Sequence, residues 1–303
     1  MSTIARVAGA LSCAAAICTS GCGAGNGSTT SAVPAAGAVS MAVAASPHYM
    51  LPLGAPAPAV HPDTFLTYNA GTVLVAPKMY LIFWGYKKAG DPDRVATLLT
   101  TYAKSIGGSA LNGVVTQYYE ESGKKQILIT NPKNQFGGVW NDNSAIPKSP
   151  NDGDVSAEAL RAVAHFGYDP NGSYFVATAH GHATSGFGKS FCAYHSSTIS
   201  GKNVVSYTNF PYIPDGGKPC FVDAITPPSD EGGKVEGVTV VAGHELAETV
   251  TDPDPFSGWN SVQGEIADMC QSVTQLKNDP FGKNSWTSQP LFSDKTQTCV
   301  HSL

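Results

Sequence analysis

The segment Ala242-Gly-His-Glu-Leu-Ala-Glu-Thr-Val-Thr-Asp-Pro253 carries the chain's clearest chemistry. Within it, His244-Glu245-Leu246-Ala247-Glu248 is one letter short of the H-E-x-x-H pattern of zinc peptidases. On a helix, His244 and Glu248 are four apart and share a face. Glu245 stands beside them, where a general base would hold a metal-bound water. The departure is Glu248, which fills the second ligand position in place of His. One imidazole with carboxylates is a harder donor set than His-His-Glu. It suits Zn2+ and leaves Mn2+ or Ca2+ less excluded than usual. Extra negative charge also weakens the ion as a Lewis acid, so its water ionises less readily than at a catalytic zinc site. A slow or vanished hydrolase is therefore the alternative to an active one.

Acidic groups crowd the same region: Asp252, Asp254, Glu265 and Asp268 follow the motif within about 25 residues. The helix itself is otherwise apolar (Val238, Val240, Val241, Leu246, Ala247, Val250) and reads as buried. Carboxylates on a buried helix repel each other and are costly to desolvate. Nearby cations are few, Lys234 before the helix and Lys277 well after it, so a bound metal is the simplest compensation. Three sources of a third ligand compete. Asp254 lies ten residues after His244, the metzincin offset, although Thr251 stands where those enzymes need a turn Gly. Asp252 lies eight after it, close to the helix end. Glu265 and Asp268 lie 21 and 24 after it, a separation comparable to that of thermolysin-type enzymes. The last pair is favoured, one residue binding and the other holding a ligand or orienting His244. His180, His182 and His195 are further candidates as ligand, substrate contact or proton donor opposite Glu245, against a bland reading as solvated loop histidines.

The elements that must position these groups are legible in part. Thr72 to Trp84 is β-branched, aromatic and apolar and predicts a buried strand entered after Pro77. Pro92 to Ile106 has helical spacing, with Asp91 as its cap and Gly107-Gly108 as its end. Asn112 to Tyr119 continues as a second helical piece. Gln126–Thr130 predicts a strand and 131–150 a long loop. Asp154–Phe166 predicts a helix, Ser173–Thr178 and Asn203–Tyr207 two more strands. Gly237–Thr251 is the signature helix, stopped by Pro253.

Around this body the chain is built for export. Arg6 precedes an apolar run from Val7 to Ile17, and small residues follow, which is the pattern of a secretory signal over residues 1–22. Thr19-Ser-Gly-Cys22 resembles a lipobox, so a lipid anchor on Cys22 competes with ordinary cleavage. Residues 23–60, rich in Ala, Gly, Ser and Pro, predict a disordered tether or pro-segment. Residues 61–303 are enough for one sizeable core. A net charge of −5 with no basic stripe argues against nucleic acid. Beyond Cys13, Cys18 and Cys22, four cysteines remain, which in an exported chain implies two disulfides. Of the three pairings, proximity favours Cys192–Cys220 and Cys270–Cys299, with a Cys-ligated metal as the rival. No G-x-S-x-G elbow supports a Ser nucleophile. The four Trp read as anchors rather than a sugar platform.

Several blocks resemble the EXORDIUM (phosphate-induced) family of exported proteins: Pro77-Lys-Met-Tyr-Leu-Ile-Phe-Trp-Gly85, Phe191-Cys-Ala-Tyr-His195, Val241-Ala-Gly-His-Glu-Leu-Ala-Glu248 with Thr251-Asp-Pro253, Trp259, and Glu265-Ile-Ala-Asp-Met-Cys270. The resemblance singles out His195 among the extra histidines. It implies an extracellular protein, tied to cell walls and growth in eukaryotic members, with a zincin-like site and no fixed activity. The tether and lipobox depart from that pattern.

The sequence thus predicts an α+β, zincin-like single domain with a mixed sheet and a signature helix. It predicts a secreted metal-dependent hydrolase, most simply a peptidase acting on protein or peptide. His244, Glu248, Glu265 and Asp268 would hold Zn2+ or another divalent cation, Glu245 would act as general base, and His195 would steady the oxyanion. The competing reading is a non-catalytic cell-envelope protein with the same cluster as a structural metal site. Carbohydrate binding is a third, resting on aromatics and family habit.

Overall fold

The computed structural model describes residues 46–55, 65–225, 233–255, 257–272 and 275–303. The expected signal, the lipobox and most of the expected tether lie outside them. Among the described residues no helix is long and apolar enough to cross a membrane.

A six-stranded mixed sheet organises the body. From one edge its strands run His48–Met50, Ala193–Ser200, Asn203–Phe210, Gly172–Thr178, Lys78–Trp84 and Phe136–Trp140. The last four pair in parallel, and the first two add antiparallel at the other edge. The mixed sheet and the mixture of helix and strand are as the sequence predicts. Alternation along the apolar run of Lys78–Trp84 buries both faces. Met79, Leu81 and Phe83 join the core under the signature helix Glu236–Thr251 and the helix Val95–Ser105. Ile82 and Trp84 join Val155, Ala159 and Ala162 of the helix Asp152–Phe166 on the opposite face.

Local chemistry sets the helix starts. The helix expected from Pro92 begins at Val95 with Arg94 as its N-cap, and Asp91, three residues earlier, accepts from the backbone N–H groups of Val95 and Ala96. Asn151 and Asp154 form a reciprocal capping box for Asp152–Phe166. The signature helix is buried almost all round, which its uniformly apolar composition demands. Gly237 allows this: a Cβ there would overlap the Cys220 carbonyl oxygen. The two disulfides are Cys192–Cys220 and Cys270–Cys299, the pairing that proximity favours. They fit an oxidising, extracellular compartment.

The strand expected at Gln126–Thr130 is present as Lys125–Leu128, which pairs with Tyr119–Ser122 in a hairpin outside the large sheet and is exposed along its length, Ile127 and Leu128 included. Elsewhere the structure departs from the expectations. The 131–150 loop contains the parallel strand Phe136–Trp140, whose Gly137 and Gly138 hide the pattern while letting the Tyr80 and Phe166 rings lie against the backbone. Ala193–Ser200, polar in sequence, is an interior strand. The ordered body begins upstream of residue 61, because His48–Met50 pairs with Ala193–Ser200 at the sheet edge.

Replacing Gly237 by Ala is expected to destabilise the fold by about 1–3 kcal/mol through overpacking. Urea unfolding checks this; an unchanged midpoint would show that the helix does not need so close an approach.

Candidate metal centre

Four segments of the chain meet beneath the antiparallel edge of the sheet. The signature helix brings His244, Glu245 and Glu248, all buried. Strand Ala193–Ser200 brings His195, on the same face as its core neighbour Ala193. Strand His48–Met50 brings His48, which is directly opposite His195 in the antiparallel register, with ring centroids 5.6 Å apart. The turn Gly264–Cys270 brings Glu265 and Asp268. Gly264, at φ 124°, makes this turn: a Cβ there would press on the Asp268 side chain at 2.7 Å. The Cys270–Cys299 disulfide and a hydrogen bond from Phe292 N–H to the Ile266 carbonyl hold the turn in place.

The distances describe one connected cluster. His244 Nε2 lies 3.1 Å from Glu248 Oε1 and 3.5 Å from Asp268 Oδ1. His195 Nδ1 lies 3.6 Å from Glu245 Oε2 and 3.6 Å from Glu248 Oε2, and its Nε2 lies 3.6 Å from Glu265 Oε2. His48 Nδ1 lies 2.7 Å from Glu265 Oε2. The Asp268 N–H donates to Glu248 Oε1 at 3.1 Å, fastening the turn to the helix. Gln289 completes the frame. Its Oε1 is 3.2 Å from His244 Nδ1, and its Nε2 donates to the Ala267 carbonyl at 2.9 Å. A donating Gln289 amide fixes its Oε1 as acceptor, so His244 carries a proton on Nδ1 and turns Nε2 toward Glu248 and Asp268.

The donor set fits a divalent cation. Both ring nitrogens of His195, His244 Nε2, both Glu245 oxygens and Glu248 Oε2 are buried without a hydrogen bond. Buried polar atoms are almost always satisfied, so six in one cluster point to a missing partner. Ligands about 2.0–2.2 Å from one tetrahedral ion sit roughly 3.3–3.6 Å apart, close to the 3.1–3.6 Å between these donors. No Lys or Arg ion pair of the described residues reaches the cluster.

Electrostatics tell the same story. Burial, reinforced by the charges of Glu248 and Asp268, raises the Glu245 carboxyl well above its ordinary value. Burial and Asp268 raise Glu248; burial, Glu248 and Asp252 raise Glu265. Burial also disfavours a charged His244, but Glu248 and Asp268 outweigh it and raise its value. Burial, with His48 and His244 adding to it, drives His195 well below its usual range, so its imidazole is neutral and able to ligate.

Of the residues the sequence singled out, the structure brings together His244, Glu245, Glu248, His195, Glu265 and Asp268. Asp268 stands next to His244, whereas Glu265 faces His195 and His48. Asp254 points elsewhere, accepting from Ser197 Oγ. Asp252 is held by Asn260 and Ser257 beside the cluster. His180 pairs with Asp215, and His182 with the Pro147 carbonyl, both away from the centre. His48 and Gln289 carry no local motif. A His from the expected tether and a Gln near the C-terminus gain meaning only from strand pairing and turn packing.

The chain is similar to Protein EXORDIUM-like 5 of Arabidopsis thaliana. The two are 29% identical over 143 residues, 40% of this chain and 38% of the relative's length. This supports an EXORDIUM-like relation. No family model matches the chain, and no solved structure matches it.

The pKa directions set a pH dependence for the cation-free protein. Glu245, Glu248, Glu265 and His244 hold protons more tightly folded than unfolded, so their support is full at low pH and is lost as pH rises through the raised folded values. His195 acts oppositely, withdrawing stability as pH falls below 6.5. With four groups against one, the melting temperature in chelator is expected to fall between about pH 5 and about pH 8. Differential scanning calorimetry would detect it; a rise over that range would contradict the electrostatic reading.

Proposed function

We propose that this chain is an extracellular or cell-envelope protein whose buried His/Glu/Asp cluster is a structural site for a divalent cation. The carrying observation is closure. His195, His244, Glu245 and Glu265 have no exposed surface, and Glu248 has 1%. Asp268, at 21%, is the one ligand that reaches solvent, whereas a catalytic ion needs ready access for water and substrate. Here Glu245, the expected general base, sets its Oε2 3.6 Å from His195 Nδ1, inside the donor cluster. The cation would join the signature helix, the His195 strand and the Asp268 turn, with the His48 edge strand held through Glu265, cross-linking four segments much as a disulfide does. Zn2+ suits the two imidazoles, and the carboxylate-rich remainder also accepts Mn2+.

The peptidase reading draws on the zincin-like motif and on a surface cleft lined by His48 and Asp268, which touches the rim of the cluster. The two readings differ in what Glu245 does. If Glu245 is a ligand, E245Q loses bound metal and thermal stability, and neither protein cleaves a casein substrate. If Glu245 is a general base, E245Q keeps its metal and loses a casein-cleaving activity that the unaltered protein shows.

Chelation supplies the stability test. A cation at 100 times its Kd adds about 2.7 kcal/mol, which for a body of this size is a shift of about 5–10 °C. Removing it with EDTA is expected to lower the melting temperature by that amount, and Zn2+ or Mn2+ to restore it. Indifference to both would contradict a metal site.

A further inference from the structure

The cluster has more donors than one ion can use, and they are segregated. Three sets of donor atoms lie within 4.8 Å of one another: His48, His195 and Glu265; His195, Glu245 and Glu248; His244, Glu248 and Asp268. None contains both His195 and His244. The second and third sets share Glu248 alone, and they use opposite ends of its carboxylate. Oε2 faces His195 Nδ1, while Oε1 faces His244 Nε2. We propose that the centre holds two divalent cations bridged by Glu248. One lies among His195 Nδ1, Glu245 and Glu248 Oε2, and the other among Glu248 Oε1, His244 Nε2 and Asp268. This rests on the metal-site reading above and specifies its stoichiometry.

Three independent features support the pair. His244 offers Nε2 to its own set while Nδ1 faces Gln289 Oε1, which fixes its tautomer, and His195 offers Nδ1 to the other. The first set is a supporting contact, because 2.7 Å between His48 Nδ1 and Glu265 Oε2 is a charge-assisted hydrogen-bond distance, shorter than the spacing of two ligands on one ion. Charge favours the pair as well: Glu245, Glu248, Asp252, Glu265 and Asp268 carry five negative charges when ionised, of which two divalent cations offset four and a single cation only two. Carboxylate-bridged ion pairs about 3.5–4 Å apart are a recurring way of concentrating such charge.

The test is a metal count on the full chain. Purified protein, stripped with chelator, reloaded with Mn2+ and desalted, is analysed by inductively coupled plasma mass spectrometry and by electron paramagnetic resonance. Two equivalents of Mn2+ with the spectrum of an exchange-coupled pair are expected. One equivalent with an uncoupled spectrum overturns the pair and leaves the metal site standing; no retained Mn2+ or Zn2+ overturns both. Q289L, which removes the acceptor for His244 Nδ1 at near-constant volume, is expected to drop the count from two to one while the disulfides and far-UV circular dichroism stay unchanged. A folded Q289L that still retains two coupled ions would contradict the assignment of His244 to its own cation.

Discussion

Acid groups packed away from water around one point govern this structure. Glu245, Glu248 and Glu265 are buried together with Asp252, and Asp268 closes the rim. Among the described residues no Lys or Arg pairs with them. Each ionised carboxylate taken from water costs several kcal/mol even after relaxation, and like charges add to that. A fold cannot hold this arrangement at neutral pH by apolar packing alone. Either the groups stay protonated or a counter-charge sits among them, and the bare nitrogens of His195 and His244 favour the second.

Much of the architecture serves to hold these groups rigidly. The signature helix is encased on all sides, with Gly237 permitting its close approach to the Cys220 backbone. The antiparallel edge of the sheet sets His48 and His195 side by side through register alone, since a slip of one residue would turn either imidazole to the opposite face. The acidic turn is pinned by Gly264, by the Cys270–Cys299 bridge and by the Asp268 N–H to Glu248 contact. Gln289 belongs to the same design, reaching from beyond the strand Asn284–Ser288 to both His244 and the Ala267 carbonyl. Such rigidity is what a cross-linking ion site requires.

The legible part of the sequence was local. The spacing of His244, Glu245 and Glu248 falls on one regular helix, whose composition already implied burial. The acidic turn follows closely enough that its proximity could be inferred, and the disulfides join neighbours along the chain. What escaped depended on pairing between distant segments. Ala193–Ser200 is rich in Ser and Thr and lacks the apolar alternation of a strand, because its neighbours on both sides supply the burial. Phe136–Trp140 is masked by Gly137 and Gly138. His48 stands in an Ala- and Pro-rich stretch that reads as a tether until the sheet edge captures it. The role of Glu245 as a base follows from the motif alone, whereas the approach of its Oε2 to His195 Nδ1 depends on strand pairing that the motif does not carry.

The central claim is that cations occupy the space between His195, His244, Glu245 and Glu248. Element-specific anomalous diffraction from crystals of the Zn2+-loaded protein tests it most directly. The account predicts anomalous density within bonding distance of His195 Nδ1, His244 Nε2 and both Glu248 oxygens. Ordered crystals with no such density, and with the carboxyl groups hydrogen-bonded to one another instead, would contradict it.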